Sequence, residues 1–522
     1  MSPISAQSKD QLQQENIRLL ALIEQKDQTI QNLTHQLHLF RTARFGRKTE
    51  KDVVSEQLSL QFDEAVPSDE PEASNDISDT QTITYTRTKK STGREPLPKS
   101  LPYVEVVHDL TAEEKQCACG CALTPISQEV TERLDVVPQM TFRVVHIRKK
   151  YACKSCQDTI RLASLPEAFM SKSIATPGLV AAVIDAKFNR HMPLYRQEAM
   201  FAAASLTVTR GTLSNWLIKA AHLLTPLVKL LEADIQDYDI AYADETSVQV
   251  LQEKDRLPTQ KSTMWLFMGG PPDKRAIVYQ YHTTRAHHIP LDFFADFAGY
   301  VHADCYQAYV ALGQTKAIHH VACWAHARRY FYEVAKTAKK TGLAQQLVNF
   351  IAKLYHLEAQ LKEKNASPHR IFMMRAQKAR PILAQIKELI MQGRLNTPPK
   401  TPLGAALSYT FTHWDALTMY LCDARLDIDN NRSERTIKPF VIGRKNWLFH
   451  GNELGANAGS ILFSLIETCK QNNIEPFAWL KYTLANIQQA TTITQLEALL
   501  PYNIDKAKLL SMHRLPNLIF PA

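Results

Sequence analysis

Three acidic residues stand far apart in the sequence, at places where a fold could gather them. Asp244 lies in YADET, Asp304 lies in HADCYQAY, and Glu434 opens a helix-like run that continues with several cationic residues. Carboxylates from separate elements can share two divalent metal ions about 4 Å apart, which activate the attacking oxygen and stabilise the leaving oxygen in phosphoryl transfer. The cationic residues beside Glu434 suit a phosphate backbone. The pattern therefore predicts metal-dependent phosphoryl transfer on DNA.

The sequence around the three acids predicts which strands and helices carry them. Asp244 follows the alternating run IAYA and Asp304 follows YVHA, so each is predicted at or near the end of a strand. The predicted order is three strands, a helix over 286–298 and a fourth strand, with Glu434 on a later helix, which is the order of a ribonuclease-H-like fold. The interval between Asp304 and Glu434 is too long for one strand and one helix, so a largely helical insertion is predicted at 336–419.

Alternatives to these three acids remain open at this stage. An aspartate at a strand end is more often a turn residue or a helix cap than a metal ligand. Glu245 competes with Asp244, and Asp427 and Asp429 compete with Glu434. The order of the three acids along the elements, beside a basic helix, is what favours catalysis over these readings.

A second candidate metal centre lies nearer the amino terminus. Five of the nine cysteines cluster in CACGC and YACKSC, at Cys117, Cys119, Cys121, Cys153 and Cys156. Four thiolates hold Zn²⁺ tetrahedrally and can stabilise a segment with little core. We favour Cys117 and Cys119 with the later pair, because Gly120 can relax the turn, and Cys121 is the alternative. Free buried cysteines are the other interpretation. A basic strand, MTFRVVHIRKKYAC, leads into the second pair, as in a zinc ribbon.

Residues 12–40 carry a heptad pattern. Seven of its nine seam positions are apolar, and the seam comprises Leu12, Asn16, Leu19, Ile23, Lys26, Ile30, Leu33, Leu37 and Phe40. The pattern favours a parallel coiled-coil dimer, and a single amphipathic helix packed on the body is the alternative.

Composition bounds the remaining possibilities. The 522 residues carry a formal net charge of +9, which permits a nucleic-acid partner. Residues 41–51 are basic, whereas residues 56–80 hold eight acidic residues and no lysine or arginine, as expected of a linker. No apolar run approaches a membrane span of about 18 residues, and the start lacks a signal-peptide core. The clustered, odd-numbered cysteines suit a reducing cytoplasm better than a disulfide framework.

Residues 174–226 predict three helices, with Pro177 in a first turn and Pro193 opening the second helix. The last two resemble a helix-turn-helix, although an ordinary helical hairpin explains them about as well. One face of the third helix is predicted to be buried and the other exposed. The buried face would comprise Leu213, Trp216, Leu217 and Ala220, and the exposed face Arg210, Ser214, Asn215 and Lys219.

Several blocks carry a family resemblance. YADET, GYVHADCYQAY, HHVACWAHARRYF and the run from Ile428 to Leu480, which contains NNRSER and RKNWLF, resemble the insertion sequence 66 family of DDE transposases. The cysteine segment, FGRKTEK at 45–51 and the heptad segment resemble the amino-terminal part of that family. CACGC departs from the family's commoner C-x-x-C-G knuckle, and the linker carries nothing over.

The resemblance implies a transposase in which Asp244, Asp304 and Glu434 are the catalytic acids and hold two Mg²⁺ or Mn²⁺ ions. Water would free a 3′-hydroxyl at the element end, and that hydroxyl would attack target DNA. Terminal inverted repeats and target DNA would be the partners, bound by a homodimer or larger synaptic complex with possible accessory proteins of the same element. The expected location is the bacterial cytoplasm, on the nucleoid when bound to DNA.

Basic residues near the acids are candidates for DNA contact, with solvated surface charge as the alternative; they are Arg328, Arg329, Arg435, Arg444 and Lys445. Trp447 could stack on an unpaired base, but its apolar neighbours favour a core role. Cys323 and His326 have zinc-like spacing without an evident second pair, so we interpret them as packing or active-site support. Asn430 and Asn431 are predicted to cap the helix that bears Glu434.

The predicted fold is a multidomain α/β protein with a ribonuclease-H-like core that carries a helical insertion, an N-terminal coiled coil and a zinc-ribbon-like domain. Its segments are 1–55, coiled coil plus basic segment; 56–100, acidic disordered linker; 101–165, zinc-binding domain; 166–235, helical DNA-binding region; 236–335, first part of the core; 336–419, helical insertion; 420–475, second part of the core; and 476–522, C-terminal helical region. A catalytically inactive zinc-containing DNA-binding regulator and a nuclease without strand transfer are the alternative functions.

Overall fold

The structure, a computed structural model, describes residues 173–337 and 342–512, short stretches at 150–152, 160–162 and 169–170, and the isolated residues 26, 141, 142 and 144. The linker, the five clustered cysteines and, apart from Lys26, the heptad segment lie outside the described residues. The chain divides into two compact units, one at 62–165 and one at 1–61 and 166–522. The described part is a mixed α/β structure with a mixed sheet and many helices.

The smaller unit contains a two-stranded antiparallel hairpin. Strand β1 (Lys150–Ala152) pairs with β2 (Ile160–Leu162), with Tyr151 opposite Arg161. The two strands bracket the CKSC sequence in the chain. The strand predicted to enter this cysteine pair is therefore present over residues 150–152.

The larger unit is built on a six-stranded sheet. Its strands are β3 (Ile240–Gln252), β4 (Lys261–Gly269), β5 (Ala276–His282), β6 (Gly299–Ala303), β7 (Ile318–Ala322) and β8 (His450–Asn452). Five of them were predicted from their alternating or apolar runs, and β8 was not. The order across the sheet is β5-β4-β3-β6-β7, and β8 pairs with the far end of β3.

Strand direction changes at β3, the centre of the sheet. β4 and β5 are joined to it as an antiparallel meander, whereas β6 and β7 run parallel to it. The prediction that Asp244 lies at or near the end of its strand is wrong. β3 continues to Gln252, because β4 remains paired with it as far as Gln249 and β8 pairs with Val250 and Gln252. Asp244 instead lies two residues beyond Tyr242, which is the last residue of β3 that pairs with β6.

Three helices precede the sheet, as predicted. They are α1 (Pro177–Ile184), which continues as a π-helical turn over Asp185–Asn189, α2 (Leu194–Ala203) and α3 (Arg210–Gln236). The Thr176 hydroxyl caps α1, and Pro177 occupies its first turn. Pro193 precedes α2 at its N-cap, and the Thr209 hydroxyl caps α3. Pro177 and Pro193 therefore mark the starts of α1 and α2, as predicted.

The burial pattern of α3 also follows its sequence. The face predicted to be buried is buried, comprising Leu213, Trp216, Leu217 and Ala220. On the opposite face Arg210, Asn215 and Lys219 are exposed and Ser214 is half-buried. Arg210 is not free there, because its backbone N–H donates to Glu198 Oε1 at 3.0 Å.

The remaining helices lie between the later sheet strands and after them in the chain. They are α4 (His288–Phe293), α5 (Gln307–Leu312), α6 (Trp324–Thr337), α7 (Leu343–Glu363), α8 (Pro368–Met374), α9 (Arg380–Asn396), α10 (Pro402–Thr412), α11 (Trp414–Thr418), α12 (Asn431–Trp447), α13 (Glu453–Gln471), α14 (Pro476–Asn486), α15 (Ile493–Glu497) and α16 (Lys506–Met512). A π-helical turn, Arg375–Ala379, joins α8 to α9, and short 3₁₀ turns follow α11 and α14.

The outer strand β5 is covered by helix α13. The Ser464 hydroxyl accepts the backbone N–H of Tyr279 at 2.7 Å, and the Thr468 hydroxyl accepts that of Ile277 at 3.1 Å. Both hydroxyls are buried with the strand. An edge strand left open would present unpaired backbone groups to other chains, so these two side chains complete the sheet edge.

Arg375 fastens the helical segment to the core. Its buried guanidinium forms a two-bonded ion pair with Glu358 on α7, at 2.9 and 2.8 Å. It also donates to the carbonyl oxygens of Tyr420, Asp423 and Leu426, at 2.7 to 2.9 Å. These carbonyls belong to the stretch that leads into α12, so one side chain joins the segment to the element that carries Glu434.

We expect Arg375→Met to lower the thermal unfolding midpoint markedly. Removing one partner of a buried ion pair costs about 3–5 kcal/mol, because the other charge stays buried without compensation. Circular dichroism melting of the full chain measures the shift. Lys378→Met, an exposed position in the same π-helical turn, is the matched control and should change the midpoint little. Equal midpoints for the two variants would contradict this role of Arg375.

Candidate active site

The parallel strands of the sheet bring three chemical groups to one level. β3 and β6 pair with Tyr242 opposite His302, so the same register places Asp244 beside Asp304. β6 and β7 pair with Ala303 opposite Ala322, which places Cys323 on the other side of Asp304. Ligands of sheets with parallel strands bind at the carboxyl ends of those strands. The register therefore creates one candidate site at the carboxyl ends of β6 and β7, beside Asp244.

Helix α12 reaches this site through Asn430, the residue before its first turn. The Asn430 side chain donates to the Ala243 carbonyl at 3.0 Å, and its backbone N–H donates to Cys323 Sγ at 3.2 Å. The predicted side-chain cap by Asn430 is wrong, because its amide is bonded to β3 instead. Its carbonyl begins the helix by accepting the Glu434 N–H at 3.3 Å. Glu434 is thereby held in the first turn of α12, facing the strand ends.

The three acids influence one another electrostatically. Burial raises the pKa of Asp244 well above its usual range, and the charges of Glu245, Glu434 and Asp304 raise it further, against a hydrogen bond from the Glu245 N–H. Burial also raises the pKa of Glu434, a rise that the nearby Arg329 opposes and Asp304 supports. The structure thus brings all three predicted acids together, and their mutual repulsion is a cost of the arrangement.

The competing acid Glu245 is already engaged. Arg285 Nε donates to Glu245 Oε1 at 2.9 Å, and the Tyr309 hydroxyl donates to Glu245 Oε2. The Arg285 guanidinium in turn lies 3.8 Å from the centroid of the Tyr306 ring. Glu245 therefore belongs to a polar cluster with its own cation, which leaves Asp244 as the better candidate ligand.

The other competitors are engaged as well. Asp427 accepts the Tyr242 hydroxyl at 3.0 Å and lies 3.4 Å from an Arg432 nitrogen. Asp429 accepts the backbone N–H and the side-chain amide of Asn431, at 3.1 and 2.7 Å. Asp429 thus occupies the start of α12, and among these acids Glu434 is the one with a buried oxygen that lacks a hydrogen-bond partner.

The remaining oxygen of Glu434 is a candidate ligand for a cation. Glu434 Oε1 is inaccessible to solvent and has no hydrogen-bond partner. A buried acceptor without a partner carries a substantial desolvation penalty. Carboxylate oxygens are the donors that Mg²⁺ and Mn²⁺ prefer. The orphaned Glu434 oxygen is therefore chemically suited to ligate a divalent cation.

Glu434 has two neighbouring side chains that its own stretch of sequence does not indicate. One ligand atom each of Cys323, His326 and Glu434 lies within 4.8 Å of the other two, and His326 Nδ1 is 3.8 Å from Glu434 Oε1. Burial lowers the pKa of His326, and Arg329 lowers it further. Cys323 and His326 have a zinc-like spacing in CWAH. The third residue of the group, Glu434, lies on a different helix, after the whole helical segment that follows α6. Only the junction of β7, α6 and α12 reveals it.

The predicted DNA-contacting residues differ in their exposure and in their partners. Arg329 and Arg435 are exposed, and both charges lower the pKa of Glu434. Arg328 is half-buried, with its guanidinium 5.4 Å from the Tyr332 ring centroid. Arg444 donates to the hydroxyls of Thr246 and Ser247 at 3.2 and 3.4 Å, and Lys445 is exposed in the last turn of α12.

Trp447 has the core role that its neighbours favoured. Its ring lies 6.2 Å from that of Phe188 and 6.0 Å from that of Phe463, with the Lys187 ammonium 4.7 Å from its centroid. The ring folds back over Gly443, where an added Cβ would approach it to 2.1 Å. Glycine is therefore required at 443 for this packing.

Comparison with known proteins gives the family. The profile described as "Transposase IS66 family" matches residues 172–458. The chain belongs to the IS66 transposase family. Further matches are the "IS66 C-terminal element" at 464–502, "Transposase C of IS166 homeodomain" at 32–106 and "zinc-finger binding domain of transposase IS66" at 114–157. The resemblance found in the sequence is confirmed, and the zinc-finger match contains all five clustered cysteines.

Two relatives of this IS66 family member come from Sinorhizobium fredii. The uncharacterized protein y4jD is 30% identical, with 92% of this chain and 96% of the relative covered. The uncharacterized protein y4qI is 28% identical, with 93% and 91% covered. Among the described residues, none forms a helix long and apolar enough to cross a membrane.

We expect Asp244→Asn to raise the thermal unfolding midpoint at neutral pH, in buffer without added divalent salt. The raised pKa means that the folded wild type binds this proton more tightly than the unfolded chain, so wild-type stability falls as pH rises through the folded-state pKa. Each unit of pKa displacement corresponds to about 1.4 kcal/mol. The gain should vanish below a pH of about 4, the usual carboxyl range.

Asp423→Asn is the control with the opposite sign. Hydrogen bonds from Arg425 lower the pKa of Asp423, so its carboxylate stabilises the folded state above the usual carboxyl range. This variant should melt lower at neutral pH, and the difference should fade as pH falls. A destabilised Asp244→Asn at neutral pH would contradict the electrostatic account of the site.

Proposed function

We propose that this IS66 family member cleaves DNA at the ends of an insertion sequence and joins those ends to target DNA. The convergence of Asp244, Asp304 and the orphaned Glu434 oxygen at one sheet edge carries the proposal. Three carboxylates from separate elements, beside exposed arginines, suit phosphoryl transfer on a polyanion.

We propose a ribonuclease-H-like architecture for the catalytic core. Supporting it is the sheet itself, an antiparallel three-stranded meander whose first strand is central and is followed by two parallel strands. The acids belong to the first strand, the end of the fourth strand and a later helix. The core would comprise 236–335 and 420–475, interrupted by a helical insertion at 336–419; helices α7 to α11 lie within that interval.

Asp244, Asp304 and Glu434 would hold two Mg²⁺ or Mn²⁺ ions. When bound, these cations supply charge stabilisation and an activated oxygen nucleophile. The carboxylates of the chain would orient the scissile phosphate by holding the cations at the strand ends. Arg329 and Arg435, exposed beside Glu434, would bind the flanking phosphates electrostatically.

The proposed reaction has two steps. Water adds to the phosphorus at the element end, and the bond from phosphorus to the 3′ oxygen breaks, which leaves a 3′-hydroxyl on the element. That hydroxyl then attacks a target phosphodiester and displaces the target's own 3′ oxygen. No side-chain nucleophile is required, so no covalent protein–DNA intermediate is expected.

The amino-terminal part would supply specificity and assembly. We propose that one structural Zn²⁺ is held by Cys117, Cys119, Cys153 and Cys156, with Cys121 as the alternative ligand, in a zinc-binding domain at 101–165. Its support is the zinc-finger match and the β1–β2 hairpin around the second cysteine pair. Residues 12–40 would form the coiled coil of a dimer that pairs two element ends, and accessory proteins of the element are possible partners.

The helical region at 166–235 would contribute to DNA binding, and the segments at 56–100 and 476–522 would serve as linker and C-terminal helical region. Because the substrate is bacterial DNA, we place the protein in the cytoplasm, on the nucleoid when bound.

We expect Asp244→Asn, Asp304→Asn and Glu434→Gln each to reduce strand cleavage by at least about a thousandfold, because several kcal/mol of transition-state stabilisation is lost. The measurement is Mg²⁺-dependent cleavage of a labelled duplex that carries the flanking inverted repeat. Binding of the same duplex should be retained, and Asp415→Asn, exposed on α11, should cleave like wild type.

Three outcomes would change this conclusion. Wild-type binding without cleavage would favour the regulator. Cleavage without joining of a pre-cut end to plasmid DNA would favour a nuclease. Loss of binding in all three variants would remove the assigned catalytic roles.

We expect Lys445→Gln to weaken duplex binding and to reduce the slope of log affinity against log salt by about 0.9, the value for one phosphate contact. Lys445 is exposed at the end of α12, so its loss should leave folding intact. Fluorescence anisotropy over a salt series measures both quantities. Lys364→Gln, exposed at the end of α7, is the control; identical slopes would remove the end of α12 from the DNA interface.

A further inference from the structure

His326 and Glu434 present their polar atoms to each other at the candidate site. His326 Nδ1 lies 3.8 Å from Glu434 Oε1. Both atoms are inaccessible to solvent, and neither has a hydrogen-bond partner. Their separation is too long for a hydrogen bond. Two buried polar atoms that face each other without bonding need a shared partner to offset their desolvation.

The backbone positions of both residues are set by neighbouring contacts. His326 lies in the first turn of α6, directly after β7, and Glu434 lies in the first turn of α12. The Trp324 N–H donates to the Ile428 carbonyl at 3.3 Å, and the Trp324 indole donates to the Leu417 carbonyl at 2.7 Å. These bonds tie the start of α6 to the stretch before α12, so the two residues are held on neighbouring helix starts.

Cys323, the third residue of the cluster, already has a hydrogen-bond partner. Cys323 Sγ accepts the Asn430 N–H at 3.2 Å, and its side chain is fully buried. Its sulfur is therefore engaged in holding the start of α12. An imidazole nitrogen and a carboxylate oxygen remain as the free donor pair of the cluster.

We propose that His326 Nδ1 and Glu434 Oε1 coordinate the same divalent cation. Two ligands each about 2 Å from one ion lie about 3–4 Å apart, a range that includes the observed separation. The inference rests on the proposed function for the presence of a cation, and adds a nitrogen ligand that the three acids do not supply.

A nitrogen ligand changes which metal the site prefers. Imidazole favours transition-metal ions, whereas Mg²⁺ prefers oxygen ligands. The site should therefore bind Mn²⁺ more tightly than Mg²⁺, by a margin that depends on His326.

Pulsed electron paramagnetic resonance of Mn²⁺ added to the full chain tests the assignment. Wild type should show ¹⁴N modulation from an imidazole ligand, and His326→Gln should lose it and bind Mn²⁺ at least about tenfold more weakly, with a smaller loss for Mg²⁺. His326→Asp should recover affinity without the nitrogen signal, which separates ligation from misfolding. His319→Gln, exposed on β7, is the control and should keep the signal.

The possible failures are distinguishable. Mn²⁺ binding that weakens in Glu434→Gln but shows no ¹⁴N modulation in wild type would overturn the His326 assignment and leave the proposed function intact. Persistence of the modulation in His326→Gln would overturn it as well. Absence of any Mn²⁺ binding that depends on Glu434 would overturn both proposals.

Discussion

The site depends on two hydrogen bonds of Asn430, one to a residue within β3 and one to the residue that follows β7. Its side-chain amide holds the Ala243 carbonyl, one residue before Asp244, and its N–H holds Cys323 Sγ at the end of β7. One buried residue thus fixes α12 against the first and the last strand of the parallel part. Because a buried donor without its acceptor is costly, α12 can begin at only one position, and that position determines where Glu434 lies.

This constraint explains how the core tolerates a long excursion of the chain. Between α6 and α12 the chain passes through the helices α7 to α11 before it returns to the sheet. The return is secured twice, by the Arg375 bonds to the carbonyls of Tyr420, Asp423 and Leu426, and then by Asn430 itself. The helical segment is therefore fixed to the core at the point where the chain returns to the sheet.

The sequence predicted the elements better than their junctions. Pro177, Pro193 and the alternation around Asp304 are local signals, and they marked helix starts and a strand end correctly. The continuation of β3 beyond Asp244 depends on pairing with β4 and with β8, which follows α12 and is remote from β3 in the chain. The role of Asn430 depends on Ala243, and the pairing of His326 with Glu434 depends on two helix starts. Such contacts have no local pattern, so proximity in the sequence could not reveal them.

The electrostatics of the site follow from the same junctions. Register alone places Asp244 beside Asp304, and Asn430 adds Glu434 to them, so three carboxylates are held where burial and mutual repulsion raise the pKa of two. Two of the competing acids have a close counterion, since Glu245 pairs with Arg285 and Asp427 with Arg432, although burial still raises the pKa of Glu245. Among the described residues, Glu245 and Asp427 therefore have arginine partners within ion-pair distance, whereas Asp244 and Asp304 have none. Carboxylates gathered without an ion-pair partner form an anionic cluster that a divalent ion can neutralise, and this difference between neighbouring carboxylates distinguishes a candidate binding site from a group of paired surface charges.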